Sequence, residues 1–542
     1  MRLDPVTLSV LAASLAGIAQ EMGTVLVRSA YSSNIKERRD CSAALFDSVG
    51  RMVAQAEHIP VHLGAMPESV AAVRARGPRP GDVWVLNDPY AGGTHLPDVT
   101  LVSPLGADGR IVAYAVTRAH HSDIGGMTPG SMPSASRDLW QEGLVIPPVR
   151  LTEDIVDLIC ANSRTPRLRR GDFRAQMSAN HIAPQRLFEL ADRHGLDTLL
   201  EAFRDVLDYA ERRTRAALRS VPDGTYRASS EIEGDGISER DIALLVSVTI
   251  DGDTMCVDFS GTAEAVEGNV NCPLSVTRSA CYFALRVLLP EDVPANAGTY
   301  APLTISAPEG SVVHAGPPHA VVAGNVETSQ RIADAVLVAL SSVADVPAGG
   351  QGTMNNVIIG GQGWTYYETV GGGQGASRLG DGPSGVHVGM TNTLNTPIEA
   401  LELEYPMRVE RYELATGSGG VGRHHGGDGI VRSVRVLEDA TLTLLTDRRH
   451  HQPTGLAGGA EGRPGRNVVG TREVPAKSTL ELSAGDVVTV ITPGGGGWGT
   501  RRRRPRRFCA PLTARGEARH LSRRHVGIMH GPGPSPRSRP RP

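Results

Sequence analysis

Asn87-Asp88-Pro89-Tyr90-Ala91-Gly92-Gly93-Thr94-His95-Leu96-Pro97-Asp98 is followed further along by Ala119-His120-His121-Ser122-Asp123. The two segments flank a predicted β-hairpin: residues 99–105 as one strand, Asp108-Gly109 as the turn, residues 111–117 as the return strand. Asp-Gly between apolar runs favours a two-residue turn because both positions need positive φ. With those two residues as the loop, Asp98 is expected opposite Ala119, and His95 is expected to face the His-His-Ser-Asp segment. The hairpin alone then gathers imidazoles and carboxylates at its open end. Such N and O donors suit Zn²⁺, Mn²⁺ or Fe²⁺. Neighbours on a strand face opposite sides, so periodicity leaves open which of His120 and His121 points at the metal.

The rest of the chain sets the class. Glycine is abundant, 63 of 542 residues, and aromatics make up only 4%, which predicts many tight turns and much β structure. Residues 501–542 carry 13 Arg against one Glu, so with a net charge of −3 the preceding 500 residues are acidic. An acidic body argues against nucleic-acid binding, and the Arg/Pro-rich tail is expected to be disordered. No apolar run of membrane-spanning length and no signal peptide are read at the sequence level, so a cytoplasmic protein is expected. The six cysteines show no paired spacing and read as reduced thiols.

The expected fold is α+β. Residues 1–225 form a mixed helix and hairpin domain carrying the metal site; 226–348 an α/β middle region; 349–500 a Gly-rich, β-dominated region; 501–542 the tail. Leu8, Leu11, Leu15, Ile18, Met22 and Leu26 predict an amphipathic helix over 6–29, with Thr7 near its cap. A first hairpin, 41–46 with 51–56, brings Asp40, Glu57 and His58 to its open end. Helices are expected at 67–74, 151–162, 176–193, 196–221, 274–289 and 326–344.

Among the motifs, Asp40 is the favoured extra metal donor, with His58 and His62 as alternatives or as groups orienting a ligand. His58, His121, Asp123 and Glu142 are the candidate catalytic groups beside it. The only lysines, Lys36 and Lys477, follow no Gly-x-x-x-x-Gly, so no P-loop is present. Gly371-Gly372-Gly373-Gln374-Gly375 reads as turn rather than phosphate loop. Gly-x-Ser-x-Gly is absent, which argues against a serine nucleophile. His424-His425 and His450-His451 read as loop histidines.

In combination these motifs identify a resemblance. The sequence resembles hydantoinase B, a domain shared with the second half of long-form 5-oxoprolinase and with subunits of acetone and acetophenone carboxylases. Carrying it are Glu37-Arg38-Arg39-Asp40, His58-Ile59-Pro60-Val61-His62-Leu63-Gly64, the 87–98 stretch, and His120 through Gly126. Further on stand Gln141-Glu142-Gly143-Leu144, Asp258-Phe259-Ser260-Gly261-Thr262, Glu404-Tyr405-Pro406 and His425-Gly426-Gly427-Asp428-Gly429. The Arg-rich tail has no counterpart in the family pattern. The resemblance implies a divalent metal on Asp40, His95, Asp98 and His120, with His121 and Asp123 close by. It also implies a hetero-oligomer with a hydantoinase A-like ATP-binding subunit that phosphorylates the substrate oxygen, after which a small cyclic amide is opened by water. The alternatives are a ketone carboxylase subunit and a non-catalytic scaffold.

Overall fold

The hairpin turning at Asp108-Gly109 lies at the centre of a six-stranded antiparallel sheet in a computed structural model, which describes residues 3–57 and 59–501. The strands are β1 (Cys41–Asp47), β2 (Met52–Glu57), β3 (Trp84–Leu86), β4 (Asp98–Ala107), β5 (Arg110–His120) and β6 (Val149–Arg150), in the order β2-β1-β5-β4-β3-β6. Both turn residues adopt positive φ, 50° at Asp108 and 72° at Gly109, as the turn type demands. Beside the turn, Gly106 pairs with Ile111 as expected, but Leu105 pairs with Ala113. Val112 is left between them as a bulge. An extra residue on one strand shifts every later pair by one. Asp98 therefore faces His120, and the expected pairing with Ala119 is corrected.

Both faces of this sheet are covered. Ala43, Leu45, Ala113 and Ala115 pack against Leu15, Ile18 and Met22 of the helix Pro5–Ser29, and against Leu187 and Leu190 of the helix Pro166–His194. Ala44, Phe46, Val102, Tyr114 and Val116, on the other face, join a larger core with Val276, Ala280 and Ala284 of the helix Leu274–Leu288. The split follows the two-residue period of strand side chains. Asp4, not Thr7, caps the first helix, accepting from the Val6 and Thr7 N–H groups. That helix is long and apolar enough to cross a membrane by length and composition. Its stripe Leu8, Leu11, Leu15, Ile18, Met22 and Leu26 is buried in the core instead.

Three further sheets complete an α+β fold. One orders Leu303–Ser306, Thr254–Asp258, Asp241–Asp251 and Gly224–Glu233; a second orders Trp364–Thr369, Asn356–Gly361, Ala440–Leu445 and Lys477–Leu482. The third runs Met407–Ala415, Gly429–Val436, Val487–Ile491, Arg466–Val469 and Arg472–Glu473. The described residues pack as one compact unit, and the large core draws on Leu218, Ile232, Val346 and Ile358 alike. The five cysteines among the described residues are free thiols. The expected tail disorder concerns residues beyond 501, outside the described residues.

The Gly-rich runs are not turns. They are extended backbones laid side by side: Gly495 N–H donates to Gly427 O at 2.9 Å, Gly496 N–H to Gly349 O at 2.7 Å, and Gly427 N–H to Gln374 O at 2.8 Å. A Cβ on Gly373, Gly426, Gly495 or Gly496 would run into a neighbouring backbone carbonyl. Glycine is needed here for close approach rather than for left-handed φ.

Candidate metal centre

The sheet face that carries Ser42, Thr100 and Arg118 also carries Asp98 and His120, paired across β4 and β5. Asp40 sits just before β1, its carbonyl accepting the His120 N–H at 3.0 Å. His95 arrives from the loop before β4. Asn87 fixes that loop, donating to Leu96 O and Leu144 O and accepting from the Ile146 N–H. Gly92, at φ 96°, turns the chain back towards β4. The buried Arg118 guanidinium ties it down through Gly92 O at 2.8 Å. His62 enters from the short 3-10 turn Pro60–His62 and is held by Ser42 Oγ at 2.9 Å from its Nδ1.

The result is a close triangle. His95 Nε2 lies 3.3 Å from Asp98 Oδ1 and 3.3 Å from His120 Nδ1, and His120 Nδ1 lies 3.5 Å from Asp98 Oδ1. Two ligands each bonded at about 2.1 Å to one ion stand roughly 3.0–3.4 Å apart. The three atoms have the spacing of neighbouring ligands. His62 Nε2 lies 3.4 Å from Asp98 Oδ2, and Asp40 Oδ2 3.9 Å from His120 Nδ1. All five side chains are buried. Asp98 Oδ1, His62 Nε2 and His120 Nε2 lack a hydrogen-bond partner, which buried polar atoms rarely do. His95, Asp98 and His120 are the metal-competent group among the described residues, and their donor set fits a divalent ion.

Electrostatics within the cluster follow from this packing. Burial alone would raise the Asp98 carboxyl, but the His95 and His62 charges, with the His120 ring nitrogen close by, hold it well below the usual carboxylate range. Burial opposes the His95 cation, yet the Asp98 charge beside it raises its pKa overall. In His120 burial wins, and its pKa falls.

The other sequence candidates lie elsewhere. His121 faces the opposite side of the sheet, its Nε2 3.0 Å from Gln176 Oε1 and its ring against Phe173. Burial and the Arg169 charge push it down to about 4. Asp123 organises a loop, accepting from the Gly125, Gly130 and Arg164 N–H groups and from the Arg164 guanidinium. Glu142 accepts from the Val321 and Val322 N–H groups and Ser136 Oγ; burial pushes it up to about 7 against those bonds. His121 thus faces away from the triangle, which corrects its expected place beside the metal, while Asp123 and Glu142 are engaged by these loop partners and Glu142 still feels the His95 charge. His58 lies outside the described residues. His451 pairs with Asp241 and His424 lies against Trp498, apart from the cluster.

Sequence reasoning missed the roof of the site. Tyr367 stacks on His120 with ring centroids 4.4 Å apart and planes 9° from parallel. The Arg38 guanidinium lies 4.7 Å from the Tyr367 ring centroid. Asn325 reaches His95 Nδ1 at 3.2 Å. Tyr367 and Asn325 lie more than 200 residues from the hairpin, in no motif.

Comparison with known proteins shows the family. The family model for hydantoinase B/oxoprolinase matches residues 4–501. An uncharacterized protein of Methanocaldococcus jannaschii is 40% identical, the match covering 92% of this chain and 91% of that protein. 5-Oxoprolinase 1 of Arabidopsis thaliana is 39% identical over 92% of this chain but 42% of its own length, so this chain spans about two fifths of the plant protein. The ATP-dependent caprolactamase from Pseudomonas jessenii superposes with a TM-score of 0.86 at 29% identity, covering 92% of each chain. An acetone carboxylase superposes at 0.83 with 17% identity, over 92% of this chain and 76% of that one, a likeness of fold alone. The chain belongs to the hydantoinase B/oxoprolinase family.

Proposed function

We propose that this chain is the metal-bearing subunit of an ATP-dependent hydrolase that opens a cyclic amide, a lactam or a hydantoin, together with a hydantoinase A-like ATP-binding partner. The observation that carries this reading is the 3.3, 3.3 and 3.5 Å triangle of His95, Asp98 and His120. A Zn, Mn or Fe ion held there supplies Lewis acidity and lowers the pKa of water. The chain's own groups do the rest. His95 and His120 present ring nitrogens on one side, and Asp98 stays ionised between them. Asp40 and His62 stand at the rim of the triangle, where Asp40 would add a further metal donor and His62 would add one or orient one. Tyr367 closes the site against bulk water, which would otherwise discharge an activated substrate.

The names of the relatives, 5-oxoprolinase and ATP-dependent caprolactamase, support a cyclic-amide substrate. The sequence has no Gly-x-x-x-x-Gly-Lys, which supports assigning ATP use to a partner. The carboxylase alternative leans on a likeness at 17% identity and carries less weight. Co-expression with an ATP-binding partner, followed by phosphate-release and product assays on lactams, hydantoins and ketones, tests the reading. Ring opening of a lactam or hydantoin, lost in His95→Ala, is expected. Product only from a ketone with bicarbonate, or full turnover in Asp98→Asn, overturns it.

A further inference from the structure

One short element touches the His95 imidazole directly and reaches the His120 ring through two further side chains. The turn Gly324–Thr328 is a π-helical turn leading into the helix Ser329–Leu340. Such turns cost hydrogen-bond regularity and concentrate where side chains must be aimed. Asn325, on this turn, meets His95 Nδ1 at 3.2 Å, and its amide oxygen is buried without a partner. Amide N and O are interchangeable by a half-turn of the side chain. With Oδ1 facing Nδ1–H, the His95 proton stays on Nδ1 and the Nε2 lone pair faces Asp98 and His120.

Glu327 lies two residues on and is fully buried. Its Oε1 accepts from Asn356 Nδ2 at 3.0 Å and from the Met354 N–H at 3.3 Å. Asn356 Oδ1 in turn accepts from Tyr367 Oη at 2.9 Å, and the Tyr367 ring is the one stacked on His120. Asn356 donates on one side and accepts on the other. A carboxamide passes protons poorly, so this chain fixes a position rather than conducting a charge. Glu142 anchors the residues just before this turn through the Val321 and Val322 N–H groups.

We propose that the π-helical turn Gly324–Thr328 positions the metal centre, Asn325 by setting the tautomer of His95 and Glu327 by holding the His120 ring through Asn356 and Tyr367. This rests on the metal reading above. Burial and the nearby Asp447 push Glu327 up to about 8. Glutamine reproduces the oxygen that accepts from Asn356 and Met354.

The test is Co²⁺ titration of the chelator-stripped full chain, reading affinity and the visible absorption of the bound ion. Removing an outer partner of a ligand typically costs about 10–100-fold in metal affinity. Glu327→Leu is expected to weaken Co²⁺ by that factor and to change the absorption band, with Glu327→Gln close to wild type. Tyr367→Phe keeps the stacked ring but cuts the bond to Asn356, a milder change if Glu327→Leu fails to fold. Because both act through one chain, the double variant is expected to bind no worse than the weaker single variant. Unchanged affinity in Glu327→Leu and Tyr367→Phe, or fully additive losses, overturns the positioning role while leaving the metal reading intact. A wild-type chain that binds no Co²⁺ overturns both.

Discussion

Asp98 stands directly across the sheet from His120, with Oδ1 3.5 Å from Nδ1, because Val112 is left out of the ladder between β4 and β5. Deleting Val112 would remove the unpaired residue and leave Asp98 opposite His120, whereas one residue inserted after Val116 would slide residues 117–120 by one place and send each of them to the opposite face. The insertion would bring Ala119 opposite Asp98 in place of His120. The insertion is expected to abolish metal binding, whereas deleting Val112 is expected to leave metal content unchanged. Expression trials and metal analysis check the pair.

Loss of a triangle member is more severe than loss of a supporting group. Asp98→Asn or His95→Ala is expected to cut metal affinity by more than about 100-fold, beyond the range for outer partners. His121→Gln is expected to leave it unchanged, since His121 faces Gln176 and Phe173. Elemental analysis of purified variants measures this.

Glu142 predicts a pH signature in stability. Its folded pKa of about 7 lies above the ordinary value of 4.5. Between those values the folded state holds the extra proton, so stability falls as pH rises from about 4.5 to 7. Glu142→Gln removes that loss. The variant is expected to gain on wild type by roughly 2–3 kcal/mol across this window, read from thermal or denaturant unfolding at pH 5 and pH 8.

The glycine braid predicts sharply local intolerance. Gly495→Ala places a methyl group on the Gln374 carbonyl, between two backbones that cannot both yield. Overpacking of this kind costs about 1–3 kcal/mol or more, so a large fall in Tm or loss of soluble protein is expected. Gly380→Ala has nothing within 4 Å to meet and is expected to be neutral. Thermal unfolding of both variants decides.

Local signals read well in the sequence. Asp108-Gly109 fixed the hairpin, and apolar spacing placed the helices Pro5–Ser29, Leu196–Leu218 and Leu274–Leu288 within a few residues. The strand Gly224–Glu233 escaped because small polar residues alternate with its half-buried positions, which blunts the period-two signal. The bulge at Val112 escaped because nothing in an Ile-Val-Ala run marks which residue will be left unpaired. In the site, Asp98 and His95 were readable from a three-residue spacing beside a turn. The choice of His120 over His121 needed the register, and Tyr367 and Asn325 needed the tertiary fold. The Gly-rich runs misled because glycine more often serves a turn than a gap too narrow for a side chain.

The strand Val487–Ile491 lies between Gly429–Val436 and Arg466–Val469, and Gly494–Trp498 threads the braid behind it. An inner sheet position is thus filled by nearly the last described stretch. During synthesis the groups destined to pair with it stay exposed until that stretch leaves the ribosome. Pairing in this half therefore waits for residues 487–498, and nascent chains paused short of residue 487 are the species that will require chaperone protection.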